Sequence, residues 1–196
     1  VLLRRLSVFA GGWTMEAAEV VGAGEEIEAW DVLDLLSRLV DKSLVVYEEP
    51  GLGETAGAEA RYRLMVTLRQ YSRDRLLEAG EAEAVRERHR DWCLELAEQA
   101  ERELLGAAQT EWLERLEIEH DNFRAALEGC QEAVDSGQWL VDSPAQSKSK
   151  TDALLSEPTT NHYPLTTAVE TGLRLGAALW RFWHLRGHLR EGRDRL

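Results

Sequence analysis

Between residues 31 and 47 the chain changes its hydrophobic period. Val32, Leu36, Leu39 and Val40 recur three and four positions apart, which lays them along one face of a helix. Leu44 to Tyr47 then forms a short run rich in β-branched side chains, the composition of a strand. Residues 50–60 carry Gly51, Gly53 and Gly57, too many glycines for either element, and read as a loop. Beyond it Tyr62 and Leu64 alternate with Arg61 and Arg63, giving a return strand one buried and one wet face. Helix follows from Thr67 to Ala79, with Gly80 at the position where a left-handed residue ends it.

The flanking stretches are helical. Leu2 to Ala10 reads as a short helix closed by Gly11-Gly12, and Thr14 as the cap of the next, with Glu16 in the first turn where the helix dipole favours an anion. Asp31 is the next expected cap. Downstream, Val85, His89, Trp92, Leu96 and Ala100 form one stripe. After Gly106, the positions Leu113, Leu116, His120, Phe123, Leu127, Cys130 and Val134 keep a strict three-four spacing that predicts one further helix with a narrow seam. Residues 135–165 lose all period, gain Ser, Lys, Asp and three prolines, and read as a flexible insertion. From Thr166 helix resumes. It is apolar on two sides, with Val169, Leu173, Gly176, Ala177, Trp180 and Trp183 on one and Leu175, Leu179 and Phe182 on the other, as for a helix sandwiched between neighbours. Gly187 ends it, and 189–196 is expected to begin an antiparallel partner.

Charge narrows the functional classes. The net charge is −13, and residues 1–60 hold 4 basic against 12 acidic side chains. A phosphate-binding surface needs the opposite excess to displace counterions. Two cysteines, Cys93 and Cys130, are too few for a disulfide framework and suit the cytoplasm. No stretch approaches the roughly 18 uninterrupted apolar residues of a membrane span. The apolar run beside Arg4 and Arg5 is too short for a signal peptide. The start at Val1 and the finish inside a helical pattern read as an excerpt of a longer chain.

Candidate chemistry is sparse. His89 with Cys93 stands at the spacing of a nucleophile pair, but on an apolar stripe with no acid to orient the imidazole, so packing is the expected role, as for His120 and Cys130. His184 and His188 share a helical spacing suited to metal, yet Gly187 between them ends the helix and no carboxylate or Cys except the distant Glu191 could complete the ligand set. No metal site is expected. The Gly-rich segments GAGEE and GLGETAG lack the Lys and hydroxyl of a phosphate loop. Trp180 and Trp183 are expected in the core, and Glu114, Glu117, Glu119 and Asp121 on solvated helix faces. No catalytic or cofactor-binding residue emerges, and the segment is not expected to be an enzyme.

The order helix, strand, loop, strand, helix is that of a winged helix. The phrases LSRLVDKSLVV, RYRLMVTLRQY, AEAVRERHRDWCLELAEQAE, EWLERLEIEHDNFRAALE and ALWRFWHLRGHLREGRDRL further resemble the STAND family of regulatory ATPases, in particular bacterial LuxR-type and SARP-type regulators that join an NB-ARC module to helical repeats. The resemblance implies a mainly α-helical chain with a small β-hairpin wing: a winged-helix domain at 1–79, a helical linker at 81–134, the insertion at 135–165, and at 166–196 the start of tetratricopeptide-like antiparallel helices. It also implies an upstream ATPase core that holds ATP or ADP with magnesium. Plant and animal relatives carry Met-His-Asp where this chain has Leu64, Met65 and Val66, none of which offers a side-chain hydrogen bond to a phosphate.

The expected function is a non-catalytic relay between that switch and partner-binding repeats. Two alternatives stand beside it: a DNA-binding winged-helix transcription factor, and a helical-repeat scaffold with no nucleotide switch. Asp31, Asp34 and Asp41 outnumber Arg38 and Lys42 on the helix that would enter a DNA groove, which argues for protein contact. Arg61, Arg63, Arg69 and Arg73 form the basic cluster expected to meet an acidic partner or the ATPase core.

Overall fold

The computed structural model describes residues 1–49, 59–135 and 164–188. Residues 50–58 of the loop expected at 50–60, nearly all of the insertion and the helix expected at 189–196 lie outside the described residues. Among the described residues the chain is mainly α-helical with one two-stranded antiparallel sheet.

Helix α1 spans Leu2–Arg5 and tightens into a 3-10 turn at Leu6–Val8, a shorter helix than the run to Ala10 predicted. Helix α2, Met15–Gly22, starts where Thr14 Oγ1 accepts from the Ala17 N–H at 3.3 Å, the cap expected from sequence. Helix α3 is Val32–Asp41; Asp31 occupies its cap position without a side-chain capping bond. Strands β1, Val46–Glu48, and β2, Arg61–Arg63, pair with Tyr47 opposite Tyr62. The free edge of β2 is used too, because Tyr62 exchanges both backbone hydrogen bonds with Trp13 at 2.9 Å. That exchange brings Gly12 against the strand. At φ +96°, with an added Cβ only 2.7 Å from the Tyr62 carbonyl oxygen, glycine is the one residue that fits there.

Helix α4, Val66–Glu78, packs on α1, and Gly80 (φ +72°) turns the chain into α5, Ala82–Glu103. Every member of the predicted α5 stripe is buried except Trp92, which is half-buried and packs against both cores. The single helix expected after Gly106 is two: α6, Gln109–Ile118, and α7, His120–Asp135. The seam crosses the break intact, with Leu116, His120, Phe123 and Leu127 all buried. The helix is interrupted at the corner at Glu119, whose carbonyl accepts from both the Asn122 and the Phe123 N–H, while its side chain binds Arg61 and the Asn122 amide. Helix α8, Pro164–Arg186, packs into the groove between α5 and α7.

Two apolar clusters result. One joins Leu6, Phe9, Trp13, Val21, Val32 and Leu36 to Val85 of α5, and the other joins α5, α6, α7 and α8 around Phe123, Leu175, Leu179 and Phe182. The sandwiched reading of α8 holds for the side of Leu175, Leu179 and Phe182, and on the other side only at Gly176 and Trp183. Leu175, Leu179, Phe182 and Trp183 are buried, but Val169, Leu173 and Trp180 face solvent among the described residues. Trp180, 60% exposed, is therefore no core residue; its ring stacks on His184 at 5.9 Å instead. Among the described residues no helix is long and apolar enough to cross a membrane.

Candidate functional site

The chemistry of the chain concentrates where the first core meets the second. The Asn122 side chain, fully buried at the start of α7, accepts from the Ala10 N–H at 2.8 Å and more weakly from Gly11 at 3.4 Å. Its amide nitrogen donates to the Gly12 carbonyl at 2.8 Å and to Glu119 Oε2 at 2.6 Å. The other oxygen of Glu119, a carboxylate only 2% exposed, receives the Arg61 guanidinium from β2. One corner of the helical segment thus grips both the glycine turn and the wing hairpin. A buried carboxylate is tolerable there because it is both paired and hydrogen-bonded.

Removing the Asn122 side chain would leave the Ala10 and Gly11 N–H groups without this partner, together with the buried Gly12 carbonyl. Asn122→Ala is expected to cost roughly 2–3 kcal/mol, read as a drop in the urea midpoint at unchanged slope. Asn122→Asp tests the same network differently, since a carboxylate cannot donate to the Gly12 carbonyl.

Further ties run along the same junction. Arg4 and Arg5 of α1 both reach Glu81 at the cap position of α5, each at 2.9 Å, and Arg5 also donates to the Gly22 carbonyl at 3.0 Å. Hydrogen bonds from these two guanidiniums, Arg4 first, hold the Glu81 carboxyl down at about 2. Arg88 of α5 donates to the Val21 carbonyl at 3.1 Å. Phe9 stands between the units, with its ring edge-on to His89 and Trp92.

The four arginines expected as a contact cluster are divided by the fold. Arg61 is spent on Glu119, and Arg63 pairs with Glu48 across the hairpin at the surface. Arg69 donates to the Ala10 carbonyl at 2.8 Å, and Arg73 is exposed beside it. These last two line a crevice of about 140 Å³ between α4, α5 and α7, whose walls also carry Arg86, Arg90, Glu128 and Glu132. At the other motif position Leu64 is buried, whereas Met65 and Val66 are 47% and 78% exposed at the start of α4. The outward residues of α3 are Asp31, Leu33, Asp34, Ser37, Arg38, Asp41 and Lys42, so its solvent face is as acidic as the sequence suggested.

The His89 and Cys93 pair is built the wrong way for a nucleophile. His89 Nε2 lies 3.8 Å from Cys93 Sγ, but burial, assisted by the Arg90 charge, lowers the imidazole to about 4, and burial pushes the thiol well up. Both groups are neutral near pH 7, and an activated thiolate needs the reverse. As expected, Gly187 ends the helix between His184 and His188. His188 leaves His184 and meets Glu117 and His120, a grouping that residues 68 and 71 apart in sequence could not announce.

Residues 1–77 match the family described as "Winged helix-turn-helix domain". The fold agrees with the match. These residues form a winged helix-turn-helix domain. Over 192 residues, 98% of this chain, it is 33% identical to "Putative HTH-type transcriptional regulator Rv0890c" of Mycobacterium tuberculosis and equally to "Putative HTH-type transcriptional regulator Mb0914c" of Mycobacterium bovis. It is 43% identical over 90 residues, 45% of the chain, to "Uncharacterized protein Rv0894" of Mycobacterium tuberculosis, of which those residues are 21%. The chain spans only 17% of the length of the two regulators. No solved structure matches it. The protein is thus homologous to proteins named as putative HTH-type transcriptional regulators, and its winged helix is continued by a packed helical segment.

Proposed function

We propose that the chain is a non-catalytic relay within a transcriptional regulator, its winged helix working through protein contact and moving as one body with the helices behind it. The observation that carries this reading is the junction. The Glu119–Asn122 corner consumes Arg61 and the glycine turn, Arg63 is held by Glu48, and the free face of α3 bears three carboxylates against two cations. A winged helix that reads DNA presents basic and amide side chains at those places. In the finer form of the proposal the domain belongs to a STAND-type regulator, α8 opens a tetratricopeptide-like array, and the whole works in the cytoplasm. The nucleotide and its magnesium would then sit in a preceding domain. Exposed Met65 and Val66 would meet that domain by apolar contact, with Arg69 and Arg73 available to an acidic partner.

The second reading is a DNA-binding domain, and the comparisons favour it over a nucleotide-driven relay: the matching family is helix-turn-helix and the similar regulators are named HTH-type. The two part on one measurement. Fluorescence anisotropy with labelled duplexes from the promoter of its own gene, and with scrambled duplexes, is expected to give no binding tighter than ~10⁻⁴ M at physiological salt. Saturable, salt-dependent binding that discriminates the promoter and is lost in Arg38→Ala or Lys42→Ala would overturn the relay and establish the operator-reading alternative.

A further inference from the structure

The geometry points to a divalent transition-metal site formed by Glu117, His120 and His188, at the corner of α6 and α7 beneath the end of α8. One ligand atom from each lies within 4.8 Å of the others. The inference does not depend on whether the winged helix meets protein or DNA.

Each ligand is delivered by a definite piece of backbone. Glu117 is in the last turn of α6, and His120 opens α7 one residue after the corner. His188 is returned by the end of α8. Gly187 takes a left-handed conformation (φ +83°), and the His188 N–H bonds back to the Trp183 carbonyl at 2.9 Å, which closes the helix and folds the next side chain over it. The His188 Nε2 then lies 3.3 and 3.5 Å from the two Glu117 oxygens, and its ring is 4.4 Å from that of His120. The Phe182 ring, 5.5 Å from His120 and 5.7 Å from His188, walls the inner side. Arg186, whose Nε stands 3.8 Å from Glu117 Oε2, competes for that carboxylate.

Two imidazoles and one carboxylate are a set that zinc accepts, with a fourth position left to water, and that cobalt, nickel and copper also accept. Donors at ~2.0–2.1 Å from one ion lie on the order of 3.3 Å apart. The separations between the three atoms, at most 4.8 Å, therefore need to shrink by up to about 1.5 Å. His120 is fixed in the core, whereas Glu117 and His188 are partly exposed and can supply the movement by side-chain rotation. Binding would pin the end of α8 to the corner from which Glu119 and Asn122 hold the winged helix. A bare His188–Glu117 ion pair is the competing reading of the same contact.

The test uses the tag-free chain, stripped of metal with a chelator and titrated with zinc alone by calorimetry, then with cobalt for its visible absorption. The expected result is one zinc per chain, at least tenfold weaker binding in both His188→Ala and Glu117→Gln, and no change in His184→Ala. X-ray absorption of the zinc form is expected to contain only nitrogen and oxygen neighbours. Circular dichroism checks that the variants fold, and Glu117→Gln keeps the side-chain volume. Absence of saturable binding, binding unaltered in both ligand variants, or a sulfur neighbour from Cys93 or Cys130 would overturn the assignment and leave an ion pair.

Discussion

Phe9→Ala is expected to destabilise the chain by about 3–5 kcal/mol, the range for truncating a buried aromatic, and to do so for both cores at once. Phe9 is 1% exposed, stacks on Trp13 at 5.4 Å, and stands edge-on to His89 at 5.0 Å and Trp92 at 5.7 Å. Trp13 belongs to the first cluster, while Trp92 packs against both clusters from α5. The lost volume therefore lies on the seam between the units, with the Asn122 contacts beside it. Tryptophan fluorescence and far-ultraviolet dichroism should report one coincident urea transition in the wild type and in Phe9→Ala. Two separated transitions would mean that the winged helix and the helical segment fold independently, and the relay as a single body would fail.

The second large effect is a loss of stability in mild acid, driven by His89. Its folded value of about 4 lies below the usual 6.5, because burial and then the nearby Arg90 charge disfavour the imidazolium. Above pH 6.5 the imidazole is neutral whether the chain is folded or not, and the full stability is present. As pH falls from 6.5 towards 4, the unfolded chain takes up a proton that the folded chain refuses, so stability drains by about 3 kcal/mol and then levels off. Glu81 extends the decline further down. Held at about 2 by Arg4 and Arg5, it withdraws its own contribution as pH falls from 4.5 through 2. Urea unfolding at a series of pH values checks both. His89→Gln should flatten the upper part of the profile and leave the lower part, and an unchanged upper slope in that variant would remove His89 as its source.

Several features were legible along the chain because they rest on neighbours in sequence. Thr14 capping α2, the alternation around Tyr62, the α5 stripe and the glycine end of α4 each need only a few consecutive residues to declare themselves. The acidity of α3 is likewise a property of composition, and it survived folding because that helix buries only its Val32 and Leu36 face deeply. Where the reading failed, local pattern was silent about distant partners. The three-four seam from Leu113 to Val134 fits one helix and two equally well, since the side chains keep their face across a tight corner. Trp180 and Trp183 are equally apolar in sequence, and only the position of α5 and α7 relative to α8 buries one and exposes the other.

By itself the sequence determined the winged-helix order of elements, the helical continuation, and the acidity of the α3 surface. Tertiary structure decided the rest. It drew Asn122 to a glycine turn 110 residues away, spent Arg61 on Glu119 at a separation of 58, and carried His188 across 71 residues to Glu117. The physical reason is the same in each case. Periodicity and capping arise from short-range backbone geometry, whereas a buried polar group or a cluster of donors takes its partner from whichever segment the packing of two cores brings against it.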